Sequence, residues 1–181
     1  MNPNRFTRPL ISIRPLSVAD AAVYRALRLR GLREHADAFT SSFDEVNAQP
    51  LSASEKRLAP GSGEILWGAF VDGTLAGTLG LNRETREKSR HKATLVAMFV
   101  AAEHAGRGIG RALVDVVIDH ARHIGVELLV LTVTDNNDGA RALYERAGFQ
   151  NIGVEPDAIR VAGVSYGKRH MALQLPPLSA R

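Results

Sequence analysis

The chain of 181 residues contains no cysteine. Disulfides, thiolate metal sites and a cysteine nucleophile are therefore excluded. No apolar run is long enough to cross a membrane. The opening residues, MNPNRFTRPLISIRP, are basic but lack the apolar core of a secretion signal. A cytoplasmic protein with no membrane partner and no metal is expected. Neither charge sign dominates: 23 Lys and Arg stand against 19 Asp and Glu, for a net charge of +4. That balance suits an anionic cofactor. It does not call for a nucleic-acid partner, because the densest charged stretch, Arg83 to Lys92, mixes both signs as a wet loop does. Apolar content is 45%, the balance of a soluble globular protein. No repeat or linker-like stretch divides the chain. One domain over residues 10–175 is expected, between a flexible N-terminus (1–9) and a tail (176–181).

The organising stretch runs from Leu95 to Ile124, LVAMFVAAEHAGRGIGRALVDVVIDHARHI. Leu95 to Val100 is a continuous apolar run, as in a strand buried on both faces. A short loop follows with Gly106, Gly108 and Gly110 and the arginines Arg107 and Arg111. Then Ile109, Leu113, Val116, Val117 and Ile124 recur at helical spacing. The first turn of a helix leaves backbone N–H groups unpaired. Ala101 to Ala105 supplies no Ser, Thr, Asp or Asn to cap them. Glycines admit a ligand close to the backbone, and the helix dipole favours an anion there. An ordinary glycine turn before an amphipathic helix has the same outline. Two named phosphate loops fail: no Lys-Ser or Lys-Thr follows the glycines, and G-x-G-x-x-G ends on Arg111 or Leu113.

The remaining chain reads as alternating elements. Leu10 to Arg14 is a strand stopped by Pro15. Ser17 caps a helix to about Glu34, with Tyr24, Leu27 and Gly31 on one stripe. His35 to Ser42 is a loop, and Ser52 or Ser54 caps a short helix before Pro60. Ile65–Val71 and Thr74–Asn82 are strands joined by the hairpin signal Asp72-Gly73. After the long helix, Gly125 ends it, and Val126–Thr134 is a strand parallel to the central one. Asn137 and its neighbours cap a short helix to Ala147. Phe149–Glu155 and Tyr166–Leu175 are the last strands, with Pro156–Gly163 looping between them.

Two of these stretches resemble signatures of the GNAT N-acetyltransferase superfamily. The loop is similar to (Arg/Gln)-x-x-Gly-x-(Gly/Ala), with Gly108 and Gly110 in place and Ala105 departing from the first position. The family's V-x-P is here Val100-Ala101-Ala102. Further on, Asn137, Ala140, Leu143, Tyr144, Gly148 and Phe149 match N-x-x-A-x-x-L-Y-x-x-x-G-F. The resemblance covers roughly Leu10 to Leu175. It implies an α/β (α+β) fold with a mixed sheet of about six to seven strands, helices on both faces, and a splay between the fourth and fifth strands.

The resemblance also implies a reaction, acetyl transfer from acetyl-CoA to a primary amine by direct attack. Main chain of Met98, Phe99 and Val100 is expected to pair with the pantetheine arm. The amides of Gly106, Arg107, Gly108, Ile109, Gly110 and Arg111 are expected under the pyrophosphate. Asn137, Ala140 and Tyr144 are expected beside the cofactor's arm, and Tyr144 as the acid for the departing thiolate. A phenol stays protonated to about pH 10 and so can donate near neutrality. By pattern alone Tyr144 is also an ordinary core tyrosine. Glu84, His91, Glu103, His104 and Asp135 are open as the base. Phe39, Ser41, Ser42, Phe43 and Tyr166 are candidate walls of the acceptor site. The acceptor itself, a small-molecule or peptide amine, is not specified, and a homodimer is allowed. The alternative is a GNAT-fold module that binds acyl-CoA as a sensor without turnover.

Overall fold

A computed structural model describes residues 10–176. The expected flexible N-terminus, and the tail beyond residue 176, lie outside them. The elements in order are β1 (Ile11–Pro15), α1 (Ala21–Glu34), α2 (Phe43–Asn47), α3 (Leu51–Leu58), β2 (Glu64–Val71), β3 (Thr74–Arg83), β4 (Lys92–Val100), α4 (Ile109–His123), β5 (Leu128–Thr134), α5 (Asp138–Arg146), β6 (Gln150–Val161) and β7 (Val164–Gln174). The strands form one seven-stranded sheet, in the order β1-β2-β3-β4-β5-β7-β6. Only β4 and β5 run parallel. Such a pair needs a crossover, and α4 is that crossover.

Local chemistry fixes the turns. Asp72 and Gly73 both have positive φ, 49° and 82°, as a two-residue hairpin turn of the primed type demands. Ala162 and Gly163 repeat that geometry at φ 48° and 80°. This second turn corrects the expectation of a loop over Pro156–Gly163. Strand β6 continues through that stretch, with a register break between Glu155 and Ile159 that takes up Pro156 and Asp157. A proline is tolerated there because β6 is an edge strand and the break is a bulge. Pro15 likewise does not stop β1 but is its last paired residue, opposite Trp67, also on an edge.

Two helix starts differ from expectation. Pro50, not Ser52 or Ser54, stands at the start of α3. Helix α2 is unforeseen: Ser42 accepts from the Glu45 N–H at 3.1 Å while Glu45 accepts from the Ser42 N–H at 2.8 Å, a capping box.

Helices cover both faces. Ile109, Leu113, Val114, Val117, Ile118 and Ala121 of α4 pack on Trp67, Leu79, Leu129 and Met171, with Tyr144 and Phe149 beside them. On the opposite face Ala21 and Tyr24 of α1 and Leu58 of α3 pack on Leu66 and Phe70. Gly31 lets α1 approach β4, since a Cβ there would lie 3.0 Å from the Phe99 ring.

One ion pair anchors the entry to α1. Arg14 donates to both Asp20 oxygens at 2.8 and 2.7 Å, and the Ser17 N–H and hydroxyl donate to Asp20 Oδ2 at 2.8 and 3.0 Å. Donation from Arg14 holds the Asp20 carboxyl well below the usual carboxylate range. A depressed carboxyl stabilises the fold above its unfolded pKa of about 4 and loses that contribution as pH falls toward the folded value. Asp20→Asn is therefore expected to lower stability at pH 7 and to flatten the loss of stability between about pH 4 and pH 2. Urea unfolding at a series of pH values checks both, and parallel wild-type and variant curves would contradict the assignment.

Candidate active site

The site begins with a broken ladder. β4 and β5 pair only at Lys92↔Leu128, Ala93↔Leu129 and Thr94↔Val130. Beyond Thr94 both strands continue, to Val100 and Thr134, without each other. The other edge of β4 is irregular at the same place. Its register against β3 slips between Thr78↔Phe99 and Gly80↔Val96, so Ala97 and Met98 together oppose a single β3 residue. Ala97 sits at φ 55°, and the Thr78 hydroxyl holds its carbonyl at 3.0 Å. A bulge of this kind bends its strand and increases its twist. It accompanies the divergence of β4 from β5.

A cleft of about 590 Å³ occupies the gap, lined on one side by Thr94 to Met98 and on the other by Leu131 to Thr134. That opening explains why β4 is not buried on both faces as expected: Thr94, Val96, Ala97 and Met98 are only partly covered. The β5-facing backbone groups of β4 past Thr94 have no strand partner. An extended ligand can satisfy them as a missing strand would.

The glycine loop stands at the end of β4. Gly106 and Gly108 have φ of 72° and 78°, and a Cβ on either would meet nothing within 4 Å. Gly108 is the residue before α4, and no side chain caps that helix. The first helical bond runs from the Ala112 N–H to the Gly108 carbonyl at 3.0 Å. The amides of Gly108 to Arg111 have no partner within the helix, and those of Gly106 and Arg107 precede them in the loop, where the dipole is positive. Gly110 is packed rather than open: a Cβ there would lie 3.1 Å from Met98 Cε and 3.4 Å from Leu143. That contact joins the loop to the cleft wall. The two arginines divide. Arg107 is exposed. The Arg111 side chain turns away, donating to Asp115 at 2.8 Å and to the Arg146 carbonyl at 2.7 Å, so it ties α4 to α5.

Helix α5 forms the far wall. Asn137 Oδ1 accepts from the Ala140 N–H at 3.0 Å and caps the helix, which leaves its NH2 as a donor. Asn137, Ala140 and Tyr144 all line the cleft. Ala140 and Tyr144 are one turn apart on α5. Tyr144 is 5% exposed and packs edge-on to Phe149 at 5.6 Å. Burial pushes its phenol well above the ordinary value. It therefore stays protonated throughout the physiological range.

A family model described as Acetyltransferase (GNAT) family matches residues 29–149. The chain belongs to the GNAT family. It is 36% identical over 114 residues to N-alpha-acetyltransferase RimI of Mycobacterium tuberculosis, covering 63% of this chain and 69% of that protein. The fold aligns with a GNAT-family acetyltransferase structure from Streptococcus pneumoniae at a TM-score of 0.83 and 24% identity, over 92% of this chain and all of that one. The Salmonella typhimurium yncA structure, which contains acetyl-CoA as its cofactor, aligns at a TM-score of 0.77 and 22% identity, over 95% of this chain and 98% of that one. As a GNAT member the chain is an acyltransferase with acetyl-CoA as co-substrate. No group of three or more metal-ligating side chains occurs among the described residues, and no helix among them is long and apolar enough to cross a membrane.

Several of the GNAT site's other candidates fall elsewhere. None of Glu84, His91, Glu103, His104 and Asp135 lines the cleft. Glu103 is held by Arg30 through two 2.7 Å bonds, and that donation lowers its carboxyl to about 2. Asp135 pairs with Arg169. Among the described residues, the carboxylate that does line the cleft is Glu64, which belongs to no motif. Of the expected acceptor walls, Phe39 and Ser41 line it; Ser42 caps α2, Phe43 stacks under Arg33, and Tyr166 is absent from the lining. Lys168, also unforeseen, is buried and donates to the Asp37 and Ala38 carbonyls at 3.3 and 3.2 Å and to the Thr134 hydroxyl at 2.8 Å. It clips the loop after α1 over the end of β5.

The division of the arginines carries a test. Arg107→Ala is expected to weaken acetyl-CoA binding by roughly fivefold at low salt, the worth of one exposed charge contact. Arg111→Ala is expected to cost stability first, through the lost α4–α5 tie, with the smaller effect on affinity. Calorimetric titration and thermal unfolding of both variants separate the two, and the opposite order would overturn the division.

Proposed function

We propose that the protein transfers the acetyl group of acetyl-CoA to a primary amine by direct attack. The neutral amine nitrogen adds to the thioester carbonyl, the new N–C bond forms, the C–S bond breaks, and CoA leaves as a thiolate that takes a proton, while the nitrogen, cationic after attack, releases a proton to solvent from which the donor is restored. The cofactor's pyrophosphate lies on the amides of Gly106 to Arg111. Its pantetheine arm runs along the unpaired edge of β4 at Met98 to Val100, past Asn137 and Ala140. Tyr144 gives the thiolate its proton. The observation that carries this reading is the β4–β5 gap itself. It is walled by free backbone on one side and by a buried, protonated phenol on the other. The uncapped helix start is joined to it through the Gly110–Met98 contact.

Holding thioester and amine in one cleft supplies the orientation that the uncatalysed encounter lacks. A thiol has a pKa of about 8.5, and burial holds the Tyr144 phenol above the ordinary value of about 10, so the transfer is uphill and the phenol must be close and well aligned to donate. Its burial removes competing water. Glu64 is a poor general base, because Arg57 occupies both its oxygens at 2.6 and 2.8 Å. The amine therefore delivers its own proton to solvent and attacks as the neutral form. The name of the Mycobacterium tuberculosis relative, N-alpha-acetyltransferase, supports an α-amine as acceptor.

Tyr144→Phe keeps the ring and removes only the donor. It is expected to lower kcat by about 10²–10⁴, the usual worth of general acid catalysis, with acetyl-CoA affinity unchanged. Steady-state release of CoA thiol, read beside a calorimetric titration, checks this. An acyl-CoA-binding module without turnover would show binding in both proteins and no thiol release from either.

A further inference from the structure

The amine-transfer reading leaves charge on the acceptor side of the cleft without a use. Among the described residues, four charged side chains line the cleft: Arg28, Arg57, Glu64 and Lys168. Arg57 and Glu64 cancel each other in their two-bond pair. Lys168 gives its three protons to neutral oxygens, and the Asp37 carboxylate acts on it only from a distance. Arg28 forms no ion pair among the described residues, and its Nε and Nη1 are buried without a hydrogen-bond partner. The Phe39 ring lies 4.5 Å from its guanidinium carbon and fixes its place. One turn earlier on α1, the buried Tyr24 hydroxyl also makes no hydrogen bond.

Burying a charged donor without an acceptor is unfavourable. The arrangement becomes favourable when a ligand supplies the acceptor. The fork of a guanidinium matches a carboxylate with two parallel bonds, and Arg keeps its charge at neutral pH. The cofactor's phosphates are not the ligand in question. α1 packs on the face of the sheet opposite α4, so Arg28 lies across the sheet from the glycine loop. Burial pushes both the Arg28 and the Lys168 pKa down, the mark of cations stripped of water and left short of counter-charge.

We propose that the acceptor is a small amine that also carries a carboxylate, and that Arg28 holds that carboxylate while the amine faces the thioester. This rests on the amine-transfer reading. It adds a substrate class to the same cleft, with Arg28 as the specificity-determining residue and Lys168 adding positive charge. A free amino acid has the required pair of groups, and its carboxamide has lost one of them.

The test compares α-, β- and γ-amino acids with their carboxamides, following CoA thiol release by the unaltered full-length protein. At least one free acid is expected to exceed its carboxamide in kcat/KM by on the order of 10- to 100-fold, the worth of charge-assisted hydrogen bonds, chiefly through KM. Arg28→Gln is expected to abolish that preference and Arg28→Lys to retain part of it, with acetyl-CoA affinity unchanged in both. The acid–amide comparison uses the native chain, so it holds even where a variant fails to fold. Carboxamides or larger peptides turned over as well as the free acids would overturn the carboxylate assignment and leave amine transfer standing. A preference that survives Arg28→Gln would overturn the role of Arg28. Acetyl-CoA binding with no amine acetylated would overturn both readings.

Discussion

The architecture depends on one interruption: β4 and β5 stop pairing after Thr94. Unpaired backbone is costly unless something restores the bonds. Here each strand is held firmly by its other neighbour. β5 makes seven consecutive pairs with β7, from Leu128↔Gln174 to Thr134↔Lys168. β4 is locked to β3 on both sides of its bulge. The gap is therefore a rigid slot between two supported walls, and rigid walls are what a site needs to hold reacting groups in line. The bulge at Ala97 stands where β4 leaves β5, and beside it Met98 packs against Gly110 at the start of α4.

The two ends of the slot use different chemistry. The glycine-loop end works through main chain: open φ at Gly106 and Gly108, an uncapped helix, and a strand edge. Backbone groups are present whatever the side chains are, the one at Ala105 included. The other end works through side chains brought from α1, α3, β2 and β7, namely Arg28, Arg57, Glu64 and Lys168. This separation is one physical route by which a fold can keep its donor while its acceptor varies.

Much of this was legible from local pattern. Asp72-Gly73 announced its turn and the α4 stripe its buried face, and Asn137 and Tyr144, read from one motif, do line one cleft. What escaped was set by tertiary context. Ala97 at positive φ carries no glycine to signal it; the strain is imposed by β3 and the Thr78 hydroxyl. Pro156 reads as a breaker, yet an edge strand absorbs it in a bulge. The capping box Ser42–Glu45 was visible in the letters but too short a helix followed it to leave a periodic trace. Arg28, Glu64 and Lys168 are far apart in sequence and carry no motif. Only the sheet order, with β4 and β5 parted at its centre, brings them to one cavity.

The central claim is that the gap and the helix start together bind acetyl-CoA. Calorimetric titration of acetyl-CoA into the native protein and into Gly108→Glu tests it most directly. The substitution adds a negative charge where the pyrophosphate is placed; a side chain there meets no neighbour but strains the backbone at φ 78°, so cooperative unfolding of the variant is checked beside its binding. The account predicts micromolar binding by the native chain and its loss in a variant that still unfolds cooperatively. Equal binding by both proteins would contradict it, because the cofactor's phosphates would then lie somewhere other than the start of α4.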